Sequence, residues 1–223
     1  MSKNLIVFIH QPDFLPWIGF FEKLKVSDVY VVLDDVQFIR RGWINRDKII
    51  INNNPGWLTV PVKSKGNYKE IIKNIKIDHD INWVEDFVKI FVHNYNKFPH
   101  YKTHVPNICN ILKKKQKYLI DLNLELIEYV TNYFKIKKEM IFSSSLNLSK
   151  LKDEKIIEIL KKLNATEYVT GMGSKNYLDE NVFKKENIKL NFYDNSTQKE
   201  NSKFNFREDL SIFDLMLRTN KIF

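Results

Sequence analysis

Short apolar runs and an amphipathic stretch alternate at the start of the chain. Leu5–Ile9 is a continuous, mostly β-branched or aromatic run, and Val29–Leu33 is a second one. Runs of this kind are typical of strands buried on both faces of a parallel sheet. Between them, from about Trp17 to Lys25, apolar side chains recur at helical spacing behind a proline suited to a first helical turn. The order strand, helix, strand predicts a βαβ unit.

The same alternation returns in the last third of the chain. Three further strand-like runs lie at Met140–Phe142, Glu167–Thr170 and Ile188–Tyr193. Helical stretches separate or follow these runs. Two apolar runs around the turn Asn52–Gly56 predict a hairpin. Helical spacing dominates from about 82 to 135. We therefore predict an α/β fold, namely an open, mainly parallel Rossmann-like sheet with a hairpin and an inserted helical lobe, in a single domain over 1–223.

Composition narrows the class of protein. The 223 residues are 43% hydrophobic and 28% charged, which excludes a wholly disordered chain. The single Cys109 excludes an intramolecular disulfide and a cysteine-based zinc finger. No apolar run approaches the roughly 20 residues that span a bilayer, and the first residues lack a secretory leader. We expect a cytoplasmic protein without a membrane span.

The formal net charge of +9 favours anionic partners. Much of it lies in lysine runs such as Lys113–Lys115, which are typical of solvated helix faces. Basic residues are not interleaved with aromatic residues on one strand face, so nucleic acid is not an expected partner. Phosphates of a nucleotide, or an acidic protein, remain the expected anions.

The densest group of chemically capable residues follows the first strand, over His10–Lys23. An imidazole at a strand end can act as a general base or donate to a phosphate, and helix amides after Pro16 can bind an anion. Gln11 and Asp13 flank it, and two prolines stiffen the loop. The alternative is a capped loop in which His10 only bonds the backbone.

A second polar segment follows the second strand. Arginine suits phosphate or carboxylate by bidentate geometry, and Arg46 lies beside Asn45 in this segment. Gln37 can contact an amide, base or hydroxyl edge. Asp34 begins the segment with Asp35, but two carboxylates alone are weak evidence for a metal, so we predict no metal site.

The third segment is Thr170–Ser174. Gly171 and Gly173 permit positive φ values, and their amides could then form an anion-binding nest. The alternative is an ordinary tight turn, because the pattern is neither a Walker A loop nor the full dinucleotide fingerprint. If the ends of neighbouring strands meet, the three segments form one anion-binding cleft.

Together these residues resemble the WbqC-like protein family. The motif His-Gln-Pro-x-Phe-Leu-Pro-Trp-x-Gly-Phe-Phe-x-Lys at 10–23 carries the likeness, with Asn45-Arg46, Leu58–Val62 and Thr170-Gly-x-Gly-Ser supporting it. The resemblance covers nearly the whole chain. It implies a bacterial protein of surface-polysaccharide, or O-antigen, biosynthesis. It further implies acyl or aminoacyl transfer to a nucleotide-linked amino sugar.

On this hypothesis the donor is an acyl thioester, on an acidic acyl carrier protein or on CoA, and no other cofactor is indicated. Catalytic roles fall to His10, Gln11, Asp13 and Asn45. Substrate-binding roles fall to Pro12, Trp17, Asp34, Gln37, Arg46, Gly171, Gly173, Ser174 and Tyr177.

Two alternatives remain. The first is a non-catalytic module that binds a nucleotide sugar or assists assembly. The second is a nucleotidyltransferase-like enzyme, because the first strand, its loop and its helix resemble the HxGH region of such Rossmann-like domains. Trp17 and Phe20 stand where that motif has its histidines, which argues against nucleotidyl transfer.

Overall fold

The computed structural model describes residues 4–63, 69–176, 178–194 and 209–220. The chain divides into two compact units. The first, here called the sheet unit, comprises Met1–Gln11, Gly19–Asp35 and Lys135–Ser196. The second, the hairpin–helix unit, comprises Pro12–Ile18, Val36–Phe134 and Thr197–Phe223. The single-domain assignment over 1–223 stays a prediction.

A five-stranded parallel sheet organises the described part of the sheet unit. Its strands are β1 (Ile6–His10), β2 (Val29–Val32), β5 (Glu139–Phe142), β6 (Glu167–Gly171) and β7 (Lys189–Tyr193). They lie side by side in the order β5-β2-β1-β6-β7. The predicted α/β class with an open, mainly parallel sheet is confirmed. Because β1 is central, His10 at its carboxyl end pairs with Val32 of β2, and β6 lies on its other side.

Helices cover both faces of this sheet. The helices are α1 (Ile18–Val26), α5 (Lys152–Lys162) and α6 (Glu180–Lys185). Phe20 of α1 makes edge contacts with Phe8 and Tyr30. The alternate strand positions point to the other face, where Val7, Ile9 and Val31 join α5 and α6 in one apolar cluster. Burial on both faces explains why these strands are continuous apolar runs.

The hairpin–helix unit begins its regular structure with β3 (Arg46–Ile51) and β4 (Asn54–Thr59), an antiparallel pair. Asn52 and Asn53 alone form the connection, with φ values of 51° and 63°. Asparagine tolerates this left-handed region, which a two-residue hairpin turn requires at both positions. The turn is therefore shorter than the predicted Asn52–Gly56, and β4 starts at Asn54 rather than near Leu58.

Four α-helices complete the described part of this unit. They are α2 (Trp83–Tyr95), α3 (Tyr101–Leu112), α4 (Leu119–Tyr133) and α7 (Ile212–Arg218). One core joins them to the hairpin; its fully buried members include Ile49, Val60, Phe91, Leu112, Leu126 and Phe213. Helix α3 starts at Tyr101 and carries Pro106 within it. Within the described ranges, no helix is long and apolar enough to cross a membrane.

Candidate functional site

His10 lies at the carboxyl end of the central strand of the sheet unit. Its ring stacks on Phe8, with centroids 5.5 Å apart, and meets the edge of Phe20 at 5.4 Å. Its Nδ1 lies 2.9 Å from the Gln11 carbonyl oxygen. A carbonyl can only accept, so Nδ1 carries the proton and Nε2 is the basic ring nitrogen.

The same surroundings decide the charge of His10. Burial disfavours the imidazolium ion, and the charge of Lys23 disfavours it further, while the bond to the Gln11 carbonyl acts in the opposite direction. The net effect lowers the pKa of His10 to about 4. The ring is therefore neutral at physiological pH and can accept a proton or a hydrogen bond through Nε2.

Lys23 also lies at this end of the sheet, where the strands have their carboxyl ends. It is only 2% exposed, and its ammonium group donates to the Gly19 carbonyl one turn earlier in α1. It lies 5.8 Å from the Phe8 ring centroid. A side-chain Cβ at Gly171 would come 3.8 Å from its Nζ. A buried cation thus lies beside the ends of both β1 and β6.

Asp34 follows β2 and is bound by residues that follow β5. Its Oδ1 accepts from the Ser144 amide at 2.9 Å and lies 3.0 Å from the Ser143 hydroxyl oxygen, which in turn accepts from the Asp34 amide at 3.3 Å. Its Oδ2 accepts from the Ser144 hydroxyl at 2.7 Å. These bonds connect the ends of two neighbouring strands, so the carboxylate stabilises the fold. Its assignment to substrate binding stays a prediction.

Asp35 forms a partly buried ion pair with Lys155 of α5. The Lys155 ammonium lies 2.6 Å from Oδ1 of Asp35, and the Ser143 hydroxyl donates to the same oxygen. Burial alone would raise the pKa of Asp35, but the bonds from Lys155 and Ser143 outweigh it and lower the pKa. Asp35 is therefore an anion already neutralised by a lysine.

The backbone of the third predicted segment, Thr170–Ser174, differs from that of an anion-binding nest. After β6 the chain turns into a short 3₁₀ helix, Met172–Asn176, and the buried hydroxyls of Thr170 and Ser174 hydrogen-bond at 2.8 Å. Neither Gly171 nor Gly173 has a φ between +20° and +160°, so the backbone gives no support to the expected anion nest. A Cβ at Gly173 would meet no atom within 4 Å. Tyr177 lies outside the described residues.

In the hairpin–helix unit, Asn45 and Arg46 line a cavity of about 320 Å³ together with Arg40, Arg41 and Asp78. Asn45 is 7% exposed, and its Nδ2 donates to the Val60 carbonyl at 3.0 Å. That bond fixes which way the amide points. Its buried Oδ1 has no hydrogen-bond partner among the described residues. An unsatisfied buried acceptor costs free energy, and this one is closed off from the solvent-accessible space of the cavity.

Arg46 is held by two contacts. Its guanidinium carbon lies 4.0 Å from the Trp57 ring centroid, and its Nη2 donates to the Arg41 carbonyl. Arg41 has a φ of 65°, an uncommon conformation for a non-glycine residue. The buried Nε of Arg46 has no hydrogen-bond partner in the described part of the chain. Both atoms are closed off from solvent, so the charged groups that the cavity offers a ligand are the arginine side chains that line it.

Asp13 and Asp47 are both buried in this unit. Burial raises the pKa of Asp47 to about 8, and the charge of Asp13 adds to the rise, while the Lys48 amide bound at 2.6 Å opposes it. Pro12 contributes a carbonyl oxygen that accepts from Asn123 at 2.7 Å. The catalytic role of Asp13 and the binding role of Pro12 stay predictions.

Trp17 and Gln37 make backbone bridges in the same unit. Trp17 is half-buried and pairs with Ser211, and Gln37 is exposed and pairs with Ile71. The structure brings Asn45 and Arg46 together in one cavity, and brings His10 and Gly171 to one edge of the sheet. Substrate roles for Trp17 and Gln37 stay predictions.

The sequence analysis assigned no role to four polar side chains at this end of the sheet, namely Lys23, Ser143, Ser144 and Lys155, although Lys23 closes the motif at 10–23. Lys155 gives a signal that could have been used: it occupies an inward position of α5, four residues before the buried Ile159. A lysine in an apolar stripe indicates a buried charge with a partner. Within the described ranges, no three or more His, Cys, Asp or Glu side chains form a group that could hold a metal ion.

Comparison with known proteins places this arrangement in a family. The uncharacterized protein Rv1507c of Mycobacterium tuberculosis (strain ATCC 25618 / H37Rv) is 29% identical over 219 residues, covering 97% of this chain and 93% of that protein. No solved structure gives a significant match. The model of the WbqC-like protein family matches residues 11–221. The chain therefore belongs to the WbqC-like protein family.

Proposed function

We propose that the protein transfers an acyl or aminoacyl group from a thioester to the amine of a nucleotide-linked amino sugar in bacterial surface-polysaccharide (O-antigen) biosynthesis. The observation that carries the proposal is the state of His10: a neutral imidazole at the end of the central strand, with Nδ1 bonded to the Gln11 carbonyl. A transfer of this kind needs a proton acceptor, because the attacking amine must lose a proton as its new bond forms.

His10 receives that proton at Nε2. The amine nitrogen bonds to the thioester carbonyl carbon, and the addition product carries a positively charged nitrogen that is a stronger acid than the free sugar ammonium. Its proton passes to His10, the carbon–sulfur bond breaks, and the departing thiolate takes the proton from the imidazolium. The products are an amide and a thiol.

The low pKa of His10 matches this order of events. A ring with a pKa of about 4 is a weak base for a free ammonium ion, but it stays unprotonated at neutral pH and can serve the more acidic intermediate. In this proposal Gln11 orients the amine, and the buried ammonium of Lys23 prevents His10 from being protonated too early.

The cavity in the hairpin–helix unit supports a nucleotide-linked acceptor. Arg40, Arg41 and Arg46 all line it, and guanidinium groups bind phosphate oxygens in pairs. We assign the pyrophosphate to this cavity, with Asn45 orienting the attached sugar. The positive net charge of the chain, +9, favours binding of an acidic carrier protein that holds the acyl thioester.

The test is a product assay. Candidate nucleotide amino sugars are incubated with acyl-CoA or acyl-carrier thioesters, and the amide product is measured by mass spectrometry. We expect His10→Ala to lower the rate by a factor of about 10²–10⁴, the usual contribution of a positioned general base. The exposed His93 of α2 provides the matched control, and His93→Ala should leave the rate unchanged.

Three outcomes would contradict the proposal. Equal product from His10→Ala and the wild type would remove His10 as the base. Tight binding of nucleotide sugars without turnover of any thioester would favour a non-catalytic binding module. Mg²⁺-dependent release of pyrophosphate from a nucleoside triphosphate would favour a nucleotidyltransferase.

A further inference from the structure

The solvent-facing side of the β3–β4 hairpin carries an exposed pair of aromatic rings. Along β4 the exposed Trp57 and Thr59 flank the buried Leu58, so both point away from the core. Trp43, in the loop before β3, has its ring centroid 5.2 Å from that of Trp57. Trp57 is 41% exposed and Trp43 is 46% exposed. Large apolar side chains exposed singly are normal, whereas neighbouring ones indicate an interaction site.

The two rings differ in what covers their faces. The Arg46 guanidinium carbon lies 4.0 Å from the Trp57 ring centroid, and the Lys48 ammonium lies 5.3 Å from it. Both distances are those of cation–π contacts. In the described part of the chain, no cation lies over the Trp43 ring, and its one aromatic neighbour is Trp57, tilted by 51°. Trp43 is therefore the ring on which a planar ligand can stack.

The arginine-lined cavity adjoins this aromatic pair. Arg46, which stacks on Trp57, also lines the cavity of about 320 Å³. Arg40 and Arg41 line it too; both are exposed, and neither forms an ion pair with another described residue. Among the described lining residues, one carboxylate, that of Asp78, stands against three guanidinium groups. A cationic cavity thus lies beside an uncovered indole face.

Resting on the proposed function, we propose that Trp43 stacks on the nucleobase of the nucleotide-linked sugar while Arg40 and Arg41 bind its phosphates. A nucleotide joins a planar ring to an anionic group through one ribose, which matches an aromatic ring beside a cationic cavity. Sites that bind nucleotides by stacking combine aromatic side chains with cationic groups along the phosphates. Every base has a π face, so Trp43 itself does not choose between bases.

Calorimetry of nucleoside diphosphates tests the stacking site. Dissociation constants of ADP, GDP, CDP, UDP and dTDP are compared with that of inorganic pyrophosphate, for the wild type, Trp43→Phe and Trp43→Leu. We expect Trp43→Leu to weaken nucleoside diphosphates about tenfold and Trp43→Phe less than about threefold, because only phenylalanine keeps a π face. Pyrophosphate has no base, so its dissociation constant should not change.

Tryptophan fluorescence gives a second readout. A base stacked on Trp43 should quench its emission, so Trp43→Phe should still bind nucleotide but lose most of the quenching. The Trp43 carbonyl accepts from the Phe14 amide at 3.1 Å, a backbone bond that both variants keep, and thermal unfolding checks that they fold. Phe142→Leu is the matched control, because it removes an exposed aromatic ring from β5, and it should leave every dissociation constant unchanged.

Three results would overturn the stacking site. In the first, nucleoside diphosphates bind no more tightly than pyrophosphate. In the second, Trp43→Leu weakens both kinds of ligand equally, which indicates a disturbed loop. In the third, sedimentation velocity shows a dimer that Trp43→Leu dissociates while the dissociation constants stay the same, because the rings then contact a second copy of the chain.

Failure of the proposed function looks different. Nucleotide binding that depends on Trp43, without turnover of any thioester, would retain the stacking site and reject acyl transfer. Amide product formed by Trp43→Leu with the kcat and KM of the wild type would retain acyl transfer and reject the stacking site.

Discussion

The buried Asp47 makes the stability of the protein depend on pH in a direction that can be worked out in advance. Its pKa rises from 3.8 to about 8 in the folded chain, chiefly because burial disfavours the carboxylate and because Asp13 lies near. The native state therefore holds a proton on Asp47 at pH values where the unfolded chain has lost it. Between about pH 4 and pH 8 the native state binds more protons, so the free energy of unfolding falls as pH rises.

The magnitude follows from the size of the shift. About four pKa units correspond to an upper limit of about 5 kcal/mol between pH 4 and pH 8, and none of it is regained above pH 8. Relaxation and water entry around two neighbouring carboxylates reduce this, and we expect about 2–3 kcal/mol. Asp47→Asn removes the titration and keeps an oxygen that can accept from the Lys48 amide, a bond of 2.6 Å in the native protein.

The assay is urea unfolding of the wild type and Asp47→Asn at pH 5, 6, 7 and 8. The two proteins should have similar stability at pH 5, and the variant should gain about 2–3 kcal/mol over the wild type by pH 8. Comparing the two cancels the titration of other groups. Asp86→Asn, which removes an exposed partner of Lys89 at 3.6 Å, is the control and should not flatten the curve. Parallel curves for the wild type and Asp47→Asn would refute the reasoning.

Two further variants test buried polar contacts by chemical denaturation. Asn123 donates from Nδ2 to the carbonyls of Pro12 and Ile44, at 2.7 Å each, so Asn123→Leu should cost about 2–4 kcal/mol, and a cost below about 0.5 kcal/mol would contradict that role. Lys155→Ala removes the partner of the Asp35 carboxylate and should destabilise by about 2–4 kcal/mol at pH 7, with a smaller cost at a pH acidic enough to fall below the lowered pKa of Asp35. An equal cost at both pH values would show that the lysine contributes packing and no charge.

Strand and helix placement followed from the sequence wherever burial imposed a simple pattern. The runs at Leu5–Ile9 and Val29–Leu33 correspond to β1 and β2 within a residue, because strands covered on both faces must be apolar throughout. The sequence correctly predicts the hairpin, but the turn that it predicts is too long. Asn52 and Asn53 suffice for the reversal, and the Pro-Gly pair that looked like part of the turn lies in β4.

The polar sites were less predictable. His10, Asn45 and Arg46 stood out as chemically capable residues next to predicted strands. Nothing in the local sequence of Ser143–Ser145 indicates a carboxylate partner, yet two of its serines bind Asp34 across 109 and 110 positions of the chain. No local pattern reports a contact at that separation.

Sequence by itself determined the class of fold and the identity of the residues at the strand ends, because periodicity and apolar content are local properties that each segment carries alone. Tertiary structure decided which of those residues are already satisfied. Asp34 and Asp35 are bonded to serines and a lysine from distant segments, whereas Asn45 Oδ1 and Arg46 Nε are buried without a partner among the described residues. Burial and hydrogen bonding are settled only when separate segments pack together, so no local pattern could separate a satisfied polar group from an unsatisfied one.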